Sequence, residues 1–199
     1  MYIFVPMLPC KLKILTLLDK NLIINQTRKW VTDVVVGCNF CPFAAREVKR
    51  ESIRYFVSET DDAALCLAQL IVECEVLDEN TETIATSLLI YPTGFQDFEA
   101  YLDFLDMAEL LLQKQGYEGV YQLASFHPDY CFAGEATTDA ANYTNRSPYP
   151  MLHLLRESSL TAAIDTHADT EKIPLRNIAF ARKKGAAAMQ ALLQAAING

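Results

Sequence analysis

Apolar positions recur at helical spacing in some stretches of this chain and alternate in others, and the switches mark its elements. Residues 22–36 are apolar at near-helical intervals, with Trp30 and Val34 on one side. The end of that run, Val34-Val35-Val36-Gly37, reads equally as a short strand. Pro42 suits the first turn of a short helix closing near Arg50. Ile53 to Ser58 alternates around Tyr55, Phe56 and Val57, a strand signature. Asp61 to Leu77 reads as a helix with acids in its first turn, its Cys66 and Cys74 set among leucines as core. Thr86 to Tyr91 is a short apolar run stopped by Pro92, as in a buried strand.

Thr93 and Gln96 have the spacing of a capping box. The helix expected after them has Phe95, Phe98, Tyr101, Leu102, Leu105, Leu111 and Leu112 at amphipathic spacing, and Gly116 ends it. Its acids, Asp97, Glu99, Asp103, Asp106 and Glu109, form a solvated face. Val120 to Phe126 is a third strand, followed by a polar loop over 127–147. Helices are expected at about 148–160 and 174–197, the second opened by Pro174 and broken or kinked at Gly185.

Strands separated by helices imply crossovers and parallel pairing. The expectation is an α/β domain: a small mainly parallel sheet of three or four strands flanked by helices, with a helical C-terminus. In such sheets ligand sites lie off the carboxyl ends of the strands. Here those are Tyr91-Pro92-Thr93-Gly94 and the segment from Phe126 onward.

Composition narrows the class. The chain has 199 residues, half of them hydrophobic, enough for one globular domain over 21–199. Residues 1–20 read as a loosely attached extension. They are apolar but broken by Lys11, Lys13, Asp19 and Lys20, so they suit neither a membrane span nor a signal peptide. Leu8-Pro9-Cys10 hints at lipid attachment, with proline where a small residue is needed. A balance of 25 acids against 17 bases, net −8, argues against a nucleic-acid partner, which needs a clustered basic surface. Six cysteines, at 10, 38, 41, 66, 74 and 131, lack the spacing of a secreted disulfide scaffold, so a reducing, cytoplasmic setting is expected.

Three constellations carry candidate chemistry. Cys38-Asn39-Phe40-Cys41 can cycle between dithiol and disulfide, and a helix start lowers a thiol's pKa. Pro42 puts Cys41, not Cys38, at the helix cap; a lone buried thiol is the plainer reading. His127-Pro128-Asp129 follows a strand end, where His127 suits a general base, a metal ligand or simply a turn-bound imidazole. The third is Asn142-Tyr143-Thr144-Asn145-Arg146-Ser147-Pro148-Tyr149-Pro150. Ser147 reads as an N-cap with Pro148 at the first helical position. On that helix His153 and Glu157 share a face, with Arg156 beside it. Arg146 before a helix N-terminus is a ready anion site, lined by Asn142, Asn145, Ser147 and Tyr149. The plain alternative is a capped helix whose arginine pairs with a nearby acid.

These stretches resemble a known family. Cys41-Pro42-Phe43-Ala44, Ser125-Phe126-His127-Pro128, Phe132-Ala133-Gly134, the Asn142–Pro150 run, Leu152-His153-Leu154-Leu155-Arg156-Glu157, Ile173-Pro174 and Arg176-Asn177-Ile178 look like the uncharacterised bacterial domain-of-unknown-function family numbered 1415. The similarity covers about residues 26–185. It implies a soluble, cytoplasmic protein and carries no activity. Cys38 and Cys131 depart from the family pattern, which weakens both a dithiol and a metal site using Cys131.

The leading expectation is an enzyme acting on a small phosphate- or carboxylate-bearing molecule. Arg146 would hold the anion, His127 and His153 would serve as acid and base, Glu157 would orient His153, and Cys41 would be a nucleophile. The alternatives are a non-catalytic ligand-binding or regulatory module, a thiol redox protein using Cys38 and Cys41, and a metal site at His127, Asp129 and His153.

Overall fold

Aspartate caps set the starts of the two longest helices. In the computed structural model, residues 17–159, 161 and 170–199 are described. The first helix, α1, spans Leu17–Trp30 and passes into a π-helical turn over Val31–Val36, where a strand was the alternative reading. A short α2 covers Ala44–Lys49. Asp62 caps α3 (Ala63–Glu79) by accepting from the Leu65 N–H, and Asp97 caps α4 (Phe98–Lys114) by accepting from the Ala100 N–H. The expected Thr93–Gln96 capping box is not made: Gln96 instead donates to the carbonyls of Pro92 and Gly94. Gly185, at φ 87°, separates α5 (Ile173–Lys184) from α6 (Ala186–Asn198) where a break was expected. The extension's residues 1–16, including the Leu8-Pro9-Cys10 stretch, lie outside the described residues, and α1 takes up the rest of it.

The strands are β1 (Ile53–Val57), β2 (Thr86–Ile90), β3 (Tyr121–Phe126) and β4 (Met151–Arg156), in the order β1-β2-β4-β3. β1, β2 and β3 run the same way, as the crossovers through α3 and α4 imply. β4 runs against them, inserted between β2 and β3. One pairing is therefore parallel and two antiparallel, which corrects the expectation of a mainly parallel sheet.

The inserted strand also corrects the helix expected over 148–160. Leu152 and Leu154 point into the apolar cluster under α3 and α4, while Met151 points into the opposite one. A strand covered on both faces shows no polar alternation, so Met151-Leu152-His153-Leu154-Leu155 imitates a buried helix face. Pro148 and Pro150, which suit a first helical turn, equally suit the extended backbone entering a strand.

Two cores result. On one face Cys66, Leu70, Leu77, Phe104 and Leu112 of α3 and α4 pack on Leu89, Tyr91, Leu152 and Leu154. On the other, Ile23 and Trp30 of α1, Ala181 of α5 and Met189 and Leu193 of α6 pack with Leu88, Ile90 and Met151. Tyr101 of α4 reaches into the β3–β4 ladder. Its hydroxyl donates to the Met151 carbonyl (2.7 Å) and accepts from the Phe126 N–H (3.1 Å), replacing a strand bond with a helix-to-sheet tie.

Candidate functional site

The 24 residues between β3 and β4 gather most of the polar motif, and side-chain-to-backbone bonds hold them. Asn142 is fully buried. Its Oδ1 accepts from the Phe132 N–H (3.0 Å) and its amide donates to the Ala136 carbonyl (2.9 Å). Asn145 donates to the Ser125 carbonyl (3.1 Å). Ser147 is no helix cap: its hydroxyl donates to the Tyr149 carbonyl (2.6 Å), bending the chain into β4. The Tyr149 hydroxyl donates to Gln26 Oε1 on α1, and burial pushes its pKa up.

His127 sits at the centre of this loop. Its N–H donates to the Asn145 carbonyl and its own carbonyl accepts from the N–H groups of Tyr130 and Ser147. Nδ1 accepts from the Asp129 N–H (2.9 Å), so that nitrogen carries no proton. Nε2–H therefore donates to the Phe95 carbonyl (3.0 Å), and Phe95 is held at φ 57°. The ring is fully buried against Phe98 and Tyr101, each with its centroid 5.1 Å away. Burial lowers its pKa, partly opposed by the Phe95 carbonyl and by Asp129 and Asp97.

His153 lies on the other face of the sheet, paired across β2 with Leu88 and across β3 with Ala124. Thr86 Oγ1 donates its single proton to the Leu154 carbonyl (2.6 Å), so the 2.7 Å contact with His153 must be Nε2–H donating to that hydroxyl. Burial pulls the His153 pKa down to about 4. On a strand, positions 153 and 157 lie about 13 Å apart, beyond hydrogen-bond reach. The helical juxtaposition of His153, Arg156 and Glu157 is thereby corrected: Arg156 turns to the opposite face, where it donates to the Tyr121 hydroxyl (2.9 Å) and the Leu77 carbonyl.

Arg146 keeps a surface. Its Nε donates to the Tyr130 carbonyl (3.1 Å) and Nη2 to the Thr137 carbonyl (2.8 Å), and its guanidinium lies 4.7 Å from the Tyr143 ring centre. Three of its five N–H donors remain, and among the described residues no carboxylate lies within ion-pair distance. The nearby acids of the loop, Glu135 and Asp139, are taken by Arg182 of α5 (2.9 Å each). The helix N-terminus expected beside Arg146 is replaced by the extended approach to β4.

Cys41 stands apart, in the turn between the π-helical segment and α2. Arg176 and Asn177 of α5 clamp this turn through the carbonyls of Asn39 and Phe40. Cys38 and Cys41 are both free thiols, and burial pushes the Cys38 thiol up while Lys184 pulls the other way. No hydrogen bond links Cys41 to a histidine among the described residues. No group of three or more metal-type side chains is positioned for an ion among them either.

Glu73 was not singled out from the sequence. Its buried carboxylate takes both Arg54 Nε (2.8 Å) and Nη2 (2.9 Å) and the Ser87 hydroxyl (2.6 Å), tying α3 to β1 and β2. The available signal was an acid on the buried side of a helix otherwise lined by Cys66, Leu70, Cys74 and Leu77. No helix among the described residues is long and apolar enough to cross a membrane.

Residues 22–191 match the model of a family described as "Protein of unknown function (DUF1415)". No curated protein and no solved structure matches the chain.

Proposed function

We infer, for a chain that belongs to the family DUF1415, a non-catalytic module that binds a small phosphate- or carboxylate-bearing ligand at Arg146. The observation that carries this reading is the guanidinium itself: oriented by two backbone carbonyls and an aromatic face, with unspent donors and no acid within 4 Å among the described residues. A fixed, planar donor fork loses little freedom on meeting an anion.

The catalytic version of the reading needs an acid or base beside that anion. His127 turns its ring toward α4 and has both nitrogens engaged, and His153 occupies the other face of the sheet with Nε2–H on Thr86. Both imidazoles are held neutral by burial. Binding without turnover therefore fits the geometry better than acid–base chemistry. A cytoplasmic setting belongs to the same reading.

The test is thermal denaturation at pH 7 with inorganic phosphate or succinate, against chloride at matched ionic strength. Specific binding raises Tm with ligand concentration, since a ligand at a hundred times its Kd stabilises by about 2.7 kcal/mol. Arg146→Gln should abolish the rise and Arg146→Lys should retain part of it. A Tm indifferent to both anions sinks the proposal.

A further inference from the structure

β3 is an edge strand: β4 covers one side of it and no strand pairs with the other among the described residues. The Glu157 N–H donates to the Val120 carbonyl (3.0 Å), which fixes the alternation along the ladder. Gln122, Ala124 and Phe126 direct their backbone groups at β4, while Tyr121, Leu123 and Ser125 direct theirs outward. Two outward groups are occupied: the Tyr121 N–H by the Tyr117 carbonyl and the Ser125 carbonyl by Asn145. Among the described residues the Tyr121 carbonyl, both groups of Leu123 and the Ser125 N–H are left facing out, enough to pair with a short extended segment.

A cleft of about 540 Å³ lies alongside, between the last turns of α4 and this strand. Its floor includes Leu110, Tyr121 and Leu123, with Leu110 49% exposed. Its walls carry Asp106, Glu109, Glu118 and Glu157, with no lysine or arginine among the described lining residues. None of these four carboxylates makes an ion pair among the described residues.

We propose that this cleft docks an extended segment of a partner protein in which basic residues alternate with apolar ones. The segment adds as a strand to the β3 edge with its basic side chains on the α4 side, their aliphatic stems on Leu110 and Leu123 and their cationic heads on Asp106 and Glu109. Strand addition supplies backbone bonds and the pockets select alternate side chains. Charge chooses the occupant. A second copy paired edge to edge would set four carboxylates against four more in a chain already at −8, whereas a basic strand meets complementary charge.

The probe is a labelled seven-residue peptide alternating lysine and valine, titrated by fluorescence anisotropy at low ionic strength. Saturable binding is expected, with the Leu123 and Ser125 amides exchanging more slowly in the complex. The double variant Asp106→Lys/Glu109→Lys, at exposed positions of α4, should bind about tenfold more weakly. The same peptide N-methylated at every second residue tests the backbone component without altering the protein, and it too should bind about tenfold more weakly. Equal binding of the N-methylated peptide would mean charge attraction alone and overturns the proposal. So does equal binding of a glutamate–valine peptide, no saturation up to about 1 mM, or self-association that protects the Leu123 amide in the protein alone.

Discussion

In the loop between β3 and β4, Asn142, His127 and Asn145 spend their side-chain hydrogen-bonding capacity on neighbouring backbone. In the cleft between α4 and β3, Asp106, Glu109, Glu118 and Glu157 face no cation among the described residues, and the strand edge beside them has open backbone groups. Both regions are polar, and the loop has the denser motif. The difference teaches that motif density marks where the backbone needs side chains to satisfy it: a long connection with little regular secondary structure leaves backbone groups that its own turns do not pair. Unspent polar capacity is the better sign of a partner, and in the loop Arg146 retains it.

If satisfied polar groups are structural, their loss must appear as instability. The largest effect expected is with pH. The folded pKa of His153, about 4, lies below its ordinary value near 6.5, so between those limits the unfolded chain binds more protons than the native one. The corresponding stability is complete above pH 6.5 and declines as pH falls toward 4, by up to about 3 kcal/mol. Urea denaturation at pH 7 and at pH 5 measures the slope; His153→Gln, which can still donate to Thr86, should flatten it. His127 adds to the loss in the same direction.

Asn142→Ala comes next. It removes the partner of the Phe132 N–H and of the Ala136 carbonyl and empties a fully buried position, and should cost about 2 kcal/mol, lowering Tm by several degrees in a chain of this size. A change in Tm below about 1 °C would mean that water replaces those bonds, and the contrast between loop and cleft would lose its basis. Arg146→Gln sharpens the contrast from the middle: losing two carbonyl ties should cost about 1 kcal/mol. The smallest effect belongs to the cleft. Glu109→Gln should shift stability by no more than about 0.5 kcal/mol in equilibrium unfolding, because its carboxylate makes no ion pair among the described residues.

Much of this fold is legible in local pattern. The strands at 53–57, 86–90 and 121–126, the long helices between them and the break at Gly185 follow from alternation, helical spacing and a glycine at positive φ. β4 is not legible, because its neighbours on both sides and both faces remove the polar alternation that identifies a strand. With it went the expected anion site at a helix start and the alignment of His153 with Glu157. The candidate residues stand out in the sequence as polar outliers, but whether each has a partner depends on groups distant in sequence. His127 meets the Phe95 carbonyl 32 positions away, and Thr86 meets His153 67 positions away.

The sequence by itself determined which segments bury an apolar face and where the chain must turn, since both depend on residues within a few positions of each other. Only the tertiary structure decided the direction of β4, the tautomers of His127 and His153, and the open edge of β3. Each of these rests on which backbone groups are left to pair once distant strands have met.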